Sequence, residues 1–257
     1  MLLEGKVAVV TGGGRGIGAD ISRVLAAHGA KVAAVYSVSA EKAEGLCAEI
    51  RGKGGEARAF QADVREAASV EAMVAEVLAA YGRVDGVVNN AVGGRQHAPF
   101  DDAAWQDYAD MFDFGCKAVV NTVRALKPIF AEQGEGRVVN IVTELWNMGS
   151  AEWSTYLAGK GAMVGLSRAL TNELGPMGIR VNMVAPGYIF TDRWEKISEE
   201  TRTRRRLNCP IGMEATADDV AEAVAFLASD ASRNICGERL VVDAGCSAQH
   251  MPIDVDL

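Results

Sequence analysis

The sequence predicts an α/β protein, a doubly wound parallel sheet of about seven strands with helices on both faces, and three observations carry that reading. Short β-rich runs alternate with longer amphipathic segments from end to end, the pattern of consecutive strand–helix–strand units. The first run, Val7-Ala8-Val9-Val10, is apolar at every position, as a strand covered on both faces should be. A glycine-rich string from Thr11 to Gly18 follows it directly and opens a helical pattern.

Strands are expected near 6–10, 31–36, 56–61, 84–89, 136–142, 178–184 and 238–242, and helices near 16–28, 40–52, 66–81, 101–133 with a break, 155–174 and 216–229. No linker, repeat or low-complexity segment interrupts them, so the chain reads as one domain over 1–257. The stretch from about 185 to 215 lacks a clear period. In a compact domain so long a loop is usually functional, and a substrate lid is expected at about 188–212.

Composition narrows the function. Apolar residues make up 49% and charged residues 23% of the chain, enough to bury a core and too ordinary for wholesale disorder. A net charge of −8 argues against nucleic acid, whose binding draws on clustered Lys and Arg. No apolar stretch approaches the ~18 residues of a membrane span. Lys6 already begins the first strand, leaving no room for a secretory leader, so a cytoplasmic protein is expected. The five cysteines, Cys47, Cys116, Cys209, Cys236 and Cys246, lack metal-ligand spacing; they read as reduced thiols, with no metal site.

Thr11-Gly12-Gly13-Gly14-Arg15-Gly16-Ile17-Gly18 sits where a strand turns into a helix. There, backbone N–H groups and the helix N-terminus can meet a pyrophosphate, provided that no side chain holds it away. A Rossmann domain binding a dinucleotide is the expectation.

The TGxxxGxG spacing resembles the classical short-chain dehydrogenases/reductases, in particular 3-oxoacyl-carrier-protein-reductase-like members, and the resemblance runs through nearly the whole chain. Asp63 is similar to the family's adenine-contacting aspartate, and Asn89-Asn90-Ala91 to its NNAG element. Gly136-Arg137-Val138-Val139-Asn140-Ile141 resembles the strand leading to the catalytic serine. Tyr156-Leu157-Ala158-Gly159-Lys160 is the YxxxK motif, and Ala185-Pro186-Gly187 with Thr191 resembles the PGxxxT that closes over the nicotinamide. The resemblance implies a cofactor held by Thr11, Gly12, Gly14, Arg15, Gly16, Ile17, Gly18, Ser37, Asp63, Val64, Asn90, Ala91, Tyr156, Lys160, Pro186, Gly187, Ile189 and Thr191. It also implies a homotetramer built partly on the helices near 101–133 and 155–174.

YxxxK has a physical logic, because residues four apart share one helix face. A phenol, with a reference pKa of ~10, is a poor proton donor–acceptor at neutral pH unless a nearby cation favours the phenolate. Lys160 supplies that cation, and in the family it also holds the nicotinamide ribose. The expected reaction is reduction of a ketone, or oxidation of the matching alcohol, with Tyr156 moving the proton; an imine would use the same parts. Two alternatives stay open: a cofactor-binding regulator that has lost catalysis, and a non-redox Rossmann enzyme such as an epimerase.

Three positions depart from the family pattern. Thr143 stands where a serine normally polarises the substrate carbonyl; its hydroxyl donates the same bond, with a methyl that stiffens χ1. Gly115 replaces the asparagine that helps hold a relay water behind the lysine, and Asn121 is expected to face elsewhere. Val92 replaces the last glycine of NNAG.

NADP(H) is expected over NAD(H). An NAD site usually offers a carboxylate about 20 residues beyond the glycine turn, whereas here the second strand ends Val35-Tyr36-Ser37-Val38-Ser39 with no acid before Glu41. Arg15 stands where NADP-linked members contact the 2′-phosphate, with Ser37 or Ser39 as hydroxyl donors. The loops expected to build the substrate pocket carry Arg95, Gln96 and His97; Glu144, Leu145, Trp146, Asn147 and Met148; Trp153; and Tyr188, Phe190 and Trp194. Their aromatic content points to a bulky or aromatic small molecule. The basic run Thr201–Arg206 is a candidate guide for an anionic substrate, against the commoner solvated face.

Overall fold

The computed structural model describes residues 1–94, 97–189, 198–207 and 209–248. Seven strands, β1 (Val7–Thr11), β2 (Lys31–Tyr36), β3 (Glu56–Gln61), β4 (Gly86–Asn89), β5 (Gly136–Ile141), β6 (Ile179–Pro186) and β7 (Arg239–Val242), form one sheet in the order β3-β2-β1-β4-β5-β6-β7. Every neighbouring pair is parallel. Alternation along β1 shows why its run is apolar throughout. Val7 and Val9 join one core with residues of α3 (Ala67–Tyr81), α5 (Ala118–Gln133) and α7 (Ser154–Leu174), including Met73, Leu126 and Met163. Ala8 and Val10 join the other with residues of α1 (Gly16–Ala27), α2 (Ala40–Gly52) and α9 (Ala217–Ala228), including Leu25, Ile50 and Val224.

Strand order reverses between β1 and β4, opening a crevice at the carboxyl ends of those strands, the general place for ligands in such sheets. A buried polar chain stiffens the sheet beside it. Thr122 donates to Asn89 Oδ1 at 2.8 Å, Asn89 donates to Asn140 Oδ1 at 2.8 Å, and Asn140 donates to Ser167 Oγ at 2.7 Å. These bonds tie α5, β4, β5 and α7 together where burial would otherwise leave each amide unsatisfied.

The expected break within 101–133 is a π turn, Asp113–Lys117, joining α4 (Trp105–Phe112) to α5. Two short helices were not anticipated: α6 (Leu145–Met148) and, within the aperiodic stretch, α8 (Glu199–Leu207). Phe190, Thr191 and Trp194, together with Arg95 and Gln96, lie outside the described residues.

The reading of all five cysteines as free thiols is corrected. Cys209, just after α8, and Cys246, in the C-terminal turn, form a disulfide across 37 residues, while Cys47, Cys116 and Cys236 are free. The turn after α8 packs on that C-terminal turn, where a Cβ at Gly245 would lie 3.1 Å from the Pro210 ring; no sequence spacing reveals such a contact. Among the described residues, no helix is long and apolar enough to cross a membrane and no cluster of potential metal ligands occurs.

Candidate active site

The crevice is a cleft of about 450 Å³ lined by the glycine turn, the ends of β2 and β3 and the segment after β4. Its floor is glycine for steric reasons. A Cβ at Gly18 would stand 2.2 Å from the Gly12 carbonyl oxygen, and one at Gly12 would stand 3.1 Å from Ala91 Cα. The N-terminus of α1 opens here with no acidic residue in its first turn, so its positive end is free to meet a phosphate. A cradle that side chains would fill, beside an uncompensated helix N-terminus, fits a dinucleotide.

Thr11 builds this cleft from behind. Buried, it donates to the Val88 carbonyl at 3.2 Å and accepts from the backbone N–H of Asn90 and Ala91 at 2.9 and 3.1 Å, locking β1 to β4. The Asn90 side chain donates back to the Thr11 and Gly12 carbonyls. Gly12, Gly14, Arg15, Gly16, Ile17, Gly18, Ser37, Asp63, Val64, Asn90 and Ala91 all line the cleft. Sequence reasoning missed several further wall residues, among them Lys42, Ala62, Arg65 and Phe114. Lys42 was detectable, since it lies in the first turn of the helix after β2 and shares the wall with Arg15, Ser37 and Ser39. The Asp63 carboxylate is gripped by Arg65 through Nε at 2.9 Å and Nη2 at 2.6 Å; those bonds lower its pKa and fix its direction.

Tyr156 and Lys160 stand one turn apart on α7. Lys160 is buried, and its ammonium donates to the carbonyl of Ile141, the last residue of β5, at 2.5 Å. Its Nζ lies 5.8 Å from the centre of the half-buried Tyr156 ring. Burial pushes the Lys160 pKa down to about 8. Trp153 meets Tyr156 edge to face at 5.6 Å. Thr143 lies two residues beyond Ile141, is buried, and its hydroxyl oxygen accepts from the Leu145 N–H at 3.3 Å. Pro186 ends β6 and accepts from the Glu144 N–H at 2.9 Å, bringing the Pro186-Gly187 turn beside the Thr143 segment; Ile189 is buried in the core below.

A family model described as enoyl-(acyl carrier protein) reductase matches residues 12–247. The 3-oxoacyl-[acyl-carrier-protein] reductase FabG of Staphylococcus aureus is 36% identical over 240 residues, 93% of this chain and 97% of the relative. The chain belongs to the short-chain dehydrogenase/reductase family. D-threitol dehydrogenase of Mycolicibacterium smegmatis is 37% identical over 245 residues, 95% of this chain and 93% of the relative. Among solved structures, a short-chain dehydrogenase from Burkholderia cenocepacia in complex with NADP superposes with a TM-score of 0.86 at 37% identity, covering 96% of this chain and 99% of that one. A gluconate 5-dehydrogenase from the same organism, in complex with NADP and tartrate, gives 0.88 at 31% identity, covering 96% and 97%. This chain is thus an NAD(P)-dependent oxidoreductase of that family.

In this short-chain dehydrogenase/reductase, the departure at Gly115 has a physical reason. A Cβ at Gly115 would stand 2.1 Å from the Gly159 carbonyl oxygen, and one at Gly159 would stand 2.5 Å from the Met111 carbonyl oxygen. The π turn and α7 therefore touch backbone to backbone, and no asparagine fits at 115. Asn121 faces elsewhere, donating to the Val64 carbonyl at 3.0 Å. Val92 lines the cleft, and Gly93 lies against Phe114, whose ring a Cβ would meet at 2.7 Å.

The outer loops are only partly as expected. Glu144, grouped by sequence with the pocket residues, is fully buried and bonded to Arg239 at 2.8 Å. His97 pairs with Glu152 at 2.9 Å and meets the Trp153 ring, which makes it a loop-packing residue. The basic run is largely compensated: Arg202 pairs with Glu214, Arg204 with Glu200 and Arg206 with Glu199, while Arg205 stacks over the Tyr188 ring.

Proposed function

We propose that this enzyme interconverts a ketone and its alcohol with NADP(H), through Tyr156, Lys160 and Thr143. The observation that carries the reading is the placement of Tyr156 and Lys160 one turn apart on α7, with the lysine bonded to the end of the strand leading to Thr143. When bound, the cofactor supplies the hydride to the carbonyl carbon. Tyr156 gives its hydroxyl proton to the carbonyl oxygen, and Thr143 polarises that oxygen by donating a hydrogen bond. Lys160 favours the phenolate that Tyr156 becomes and positions the ribose. Arg15, Ser37, Ser39 and Lys42 form a cationic, hydroxyl-bearing wall suited to a 2′-phosphate.

Trp153 against Tyr156 and the half-exposed Trp146 support a bulky or aromatic substrate. Residues 188–212 would act as its lid, with the Tyr188–Arg205 stack as one contact between α8 and the Pro186-Gly187 turn. The exposed Phe100, just before α4, and Trp105 and Phe112 on α4 support a tetramer interface built partly on that part of the chain.

The test is NADPH oxidation with a carbonyl panel: aromatic ketones, 3-oxoacyl thioesters, and keto forms of polyols and sugar acids. Turnover of at least one class, fastest for the bulky aromatic members, is expected. Tyr156→Phe should leave under a tenth of wild-type kcat, a barrier increase above ~1.4 kcal/mol, with cofactor affinity within a fewfold. Retention of more than that tenth would remove Tyr156 from its role, and preference for small polyol-derived ketones would replace the substrate reading.

A further inference from the structure

Glu144 follows Thr143 directly and is fully buried, an expensive location for a carboxylate. Both of its oxygens are engaged. Oε2 accepts from Arg239 Nη1 at 2.8 Å and Oε1 accepts from Asn147 Nδ2 at 2.8 Å, while its backbone N–H donates to the Pro186 carbonyl at 2.9 Å. Arg239 begins β7 and lies with its guanidinium 5.7 Å from the Trp146 ring centre. Trp146 in turn lies against Gly161, where a Cβ would stand 3.0 Å from the indole nitrogen, one residue beyond Lys160. One residue thus joins the ends of β5 and β6 through its backbone, the start of β7 through its carboxylate and, through Arg239 and Trp146, the reactive helix α7.

A buried ion pair adds little net stability compared with apolar residues of the same size. Its natural product is orientation, since charge-assisted bonds with fixed geometry hold the backbone that carries them. We infer that Glu144, anchored by Arg239, is a positioning residue that holds Thr143 in one rotamer for the carbonyl. This rests on the assignment of Thr143 as the polarising donor.

The experiment uses wild type, Thr143→Val, Glu144→Gln and the double variant, with NADPH and the carbonyl compound of the panel that turns over fastest. Glu144→Gln keeps the shape but leaves Arg239 without its counter-charge. It should lower kcat roughly tenfold, with KM for NADPH within twofold, and should have no further effect once Thr143 is valine. Threonine-methyl NMR supplies a readout independent of turnover: Thr143 should occupy one χ1 rotamer in wild type and average among rotamers in Glu144→Gln. Arg239→Gln, at a partly exposed position, should reproduce both effects and serves if the buried variant unfolds. Equal kcat losses in the threonine and valine backgrounds, or an unchanged Thr143 rotamer, would overturn the proposal. A Thr143→Val protein as active as wild type would instead overturn the role of Thr143, while the rotamer measurement still decides whether Glu144 holds it.

Discussion

At the scale of single residues, the decisive chemistry concerns charge placed in or kept out of water. Arg15 and Lys42 are both exposed at the rim of the cleft beside Ser37, so each can meet a phosphate without desolvation. Arg15→Ala and Lys42→Ala should each lower kcat/KM for NADPH about tenfold, ~1.4 kcal/mol, and leave NADH nearly unchanged. Ser37→Asp should invert the preference by repelling the 2′-phosphate. Steady-state kinetics with both cofactors decides, and equal loss for both would mean that the two cations serve the pyrophosphate. Lys160 is the opposite case, a cation held in the interior. Its folded pKa of about 8 lies below the ordinary 10.5, so between these values the unfolded chain binds the proton that the folded chain releases. Stability should therefore rise from pH 8 upward, with the cost of the buried charge fully present below pH 8. Cys47 and Tyr81, whose pKa values burial raises to about 11 and about 12, act in the opposite sense only above their ordinary values of 9 and 10. Denaturant midpoints between pH 7.5 and 9 should thus climb in wild type and stay flatter in Lys160→Met; parallel profiles would count against a depressed Lys160.

At the scale of elements, the contact of the π turn with α7 is the most constrained in the site. Gly115 and Gly159 permit a backbone approach that any side chain would prevent. Gly115→Ala should destabilise the fold by about 1–3 kcal/mol or more, as overpacked sites do, and Gly115→Asn should cost at least as much without restoring any proton relay. Thermal midpoints together with kcat check this: a stable, faster Gly115→Asn enzyme would contradict the close approach. Much at this scale was legible beforehand. Runs such as Lys31–Tyr36 and Glu56–Gln61 are bounded as expected, because strand periodicity and flanking turns are local. The short α6 and the arginine-rich α8 were not legible, since each owes its place to contacts outside itself: Trp146 on Gly161, and Arg205 on Tyr188.

At the scale of the whole molecule, the Cys209–Cys246 bond ties the segment after α8 to the C-terminal turn. Closing a loop of 37 residues restricts the unfolded chain by about 4 kcal/mol in the chain-entropy account. Peptide mapping without reductant should recover the joined Cys209 and Cys246 peptides. Reduction or Cys246→Ser should then lower the unfolding midpoint, whereas an unjoined pair with no response to reductant would show that the turn holds itself.

The sequence by itself determined the parallel α/β architecture, the glycine cradle and the YxxxK pair. Each depends on spacing along one element or across one strand–helix turn, where geometry follows from chain connectivity. Only the tertiary structure decided that Thr11 braces the cleft from behind, that Gly115 answers Gly159, that Glu144 is clamped by Arg239 and that Cys209 meets Cys246. In all four the partner lies 37 or more residues away, and what joins them is packing in three dimensions, to which local pattern is blind.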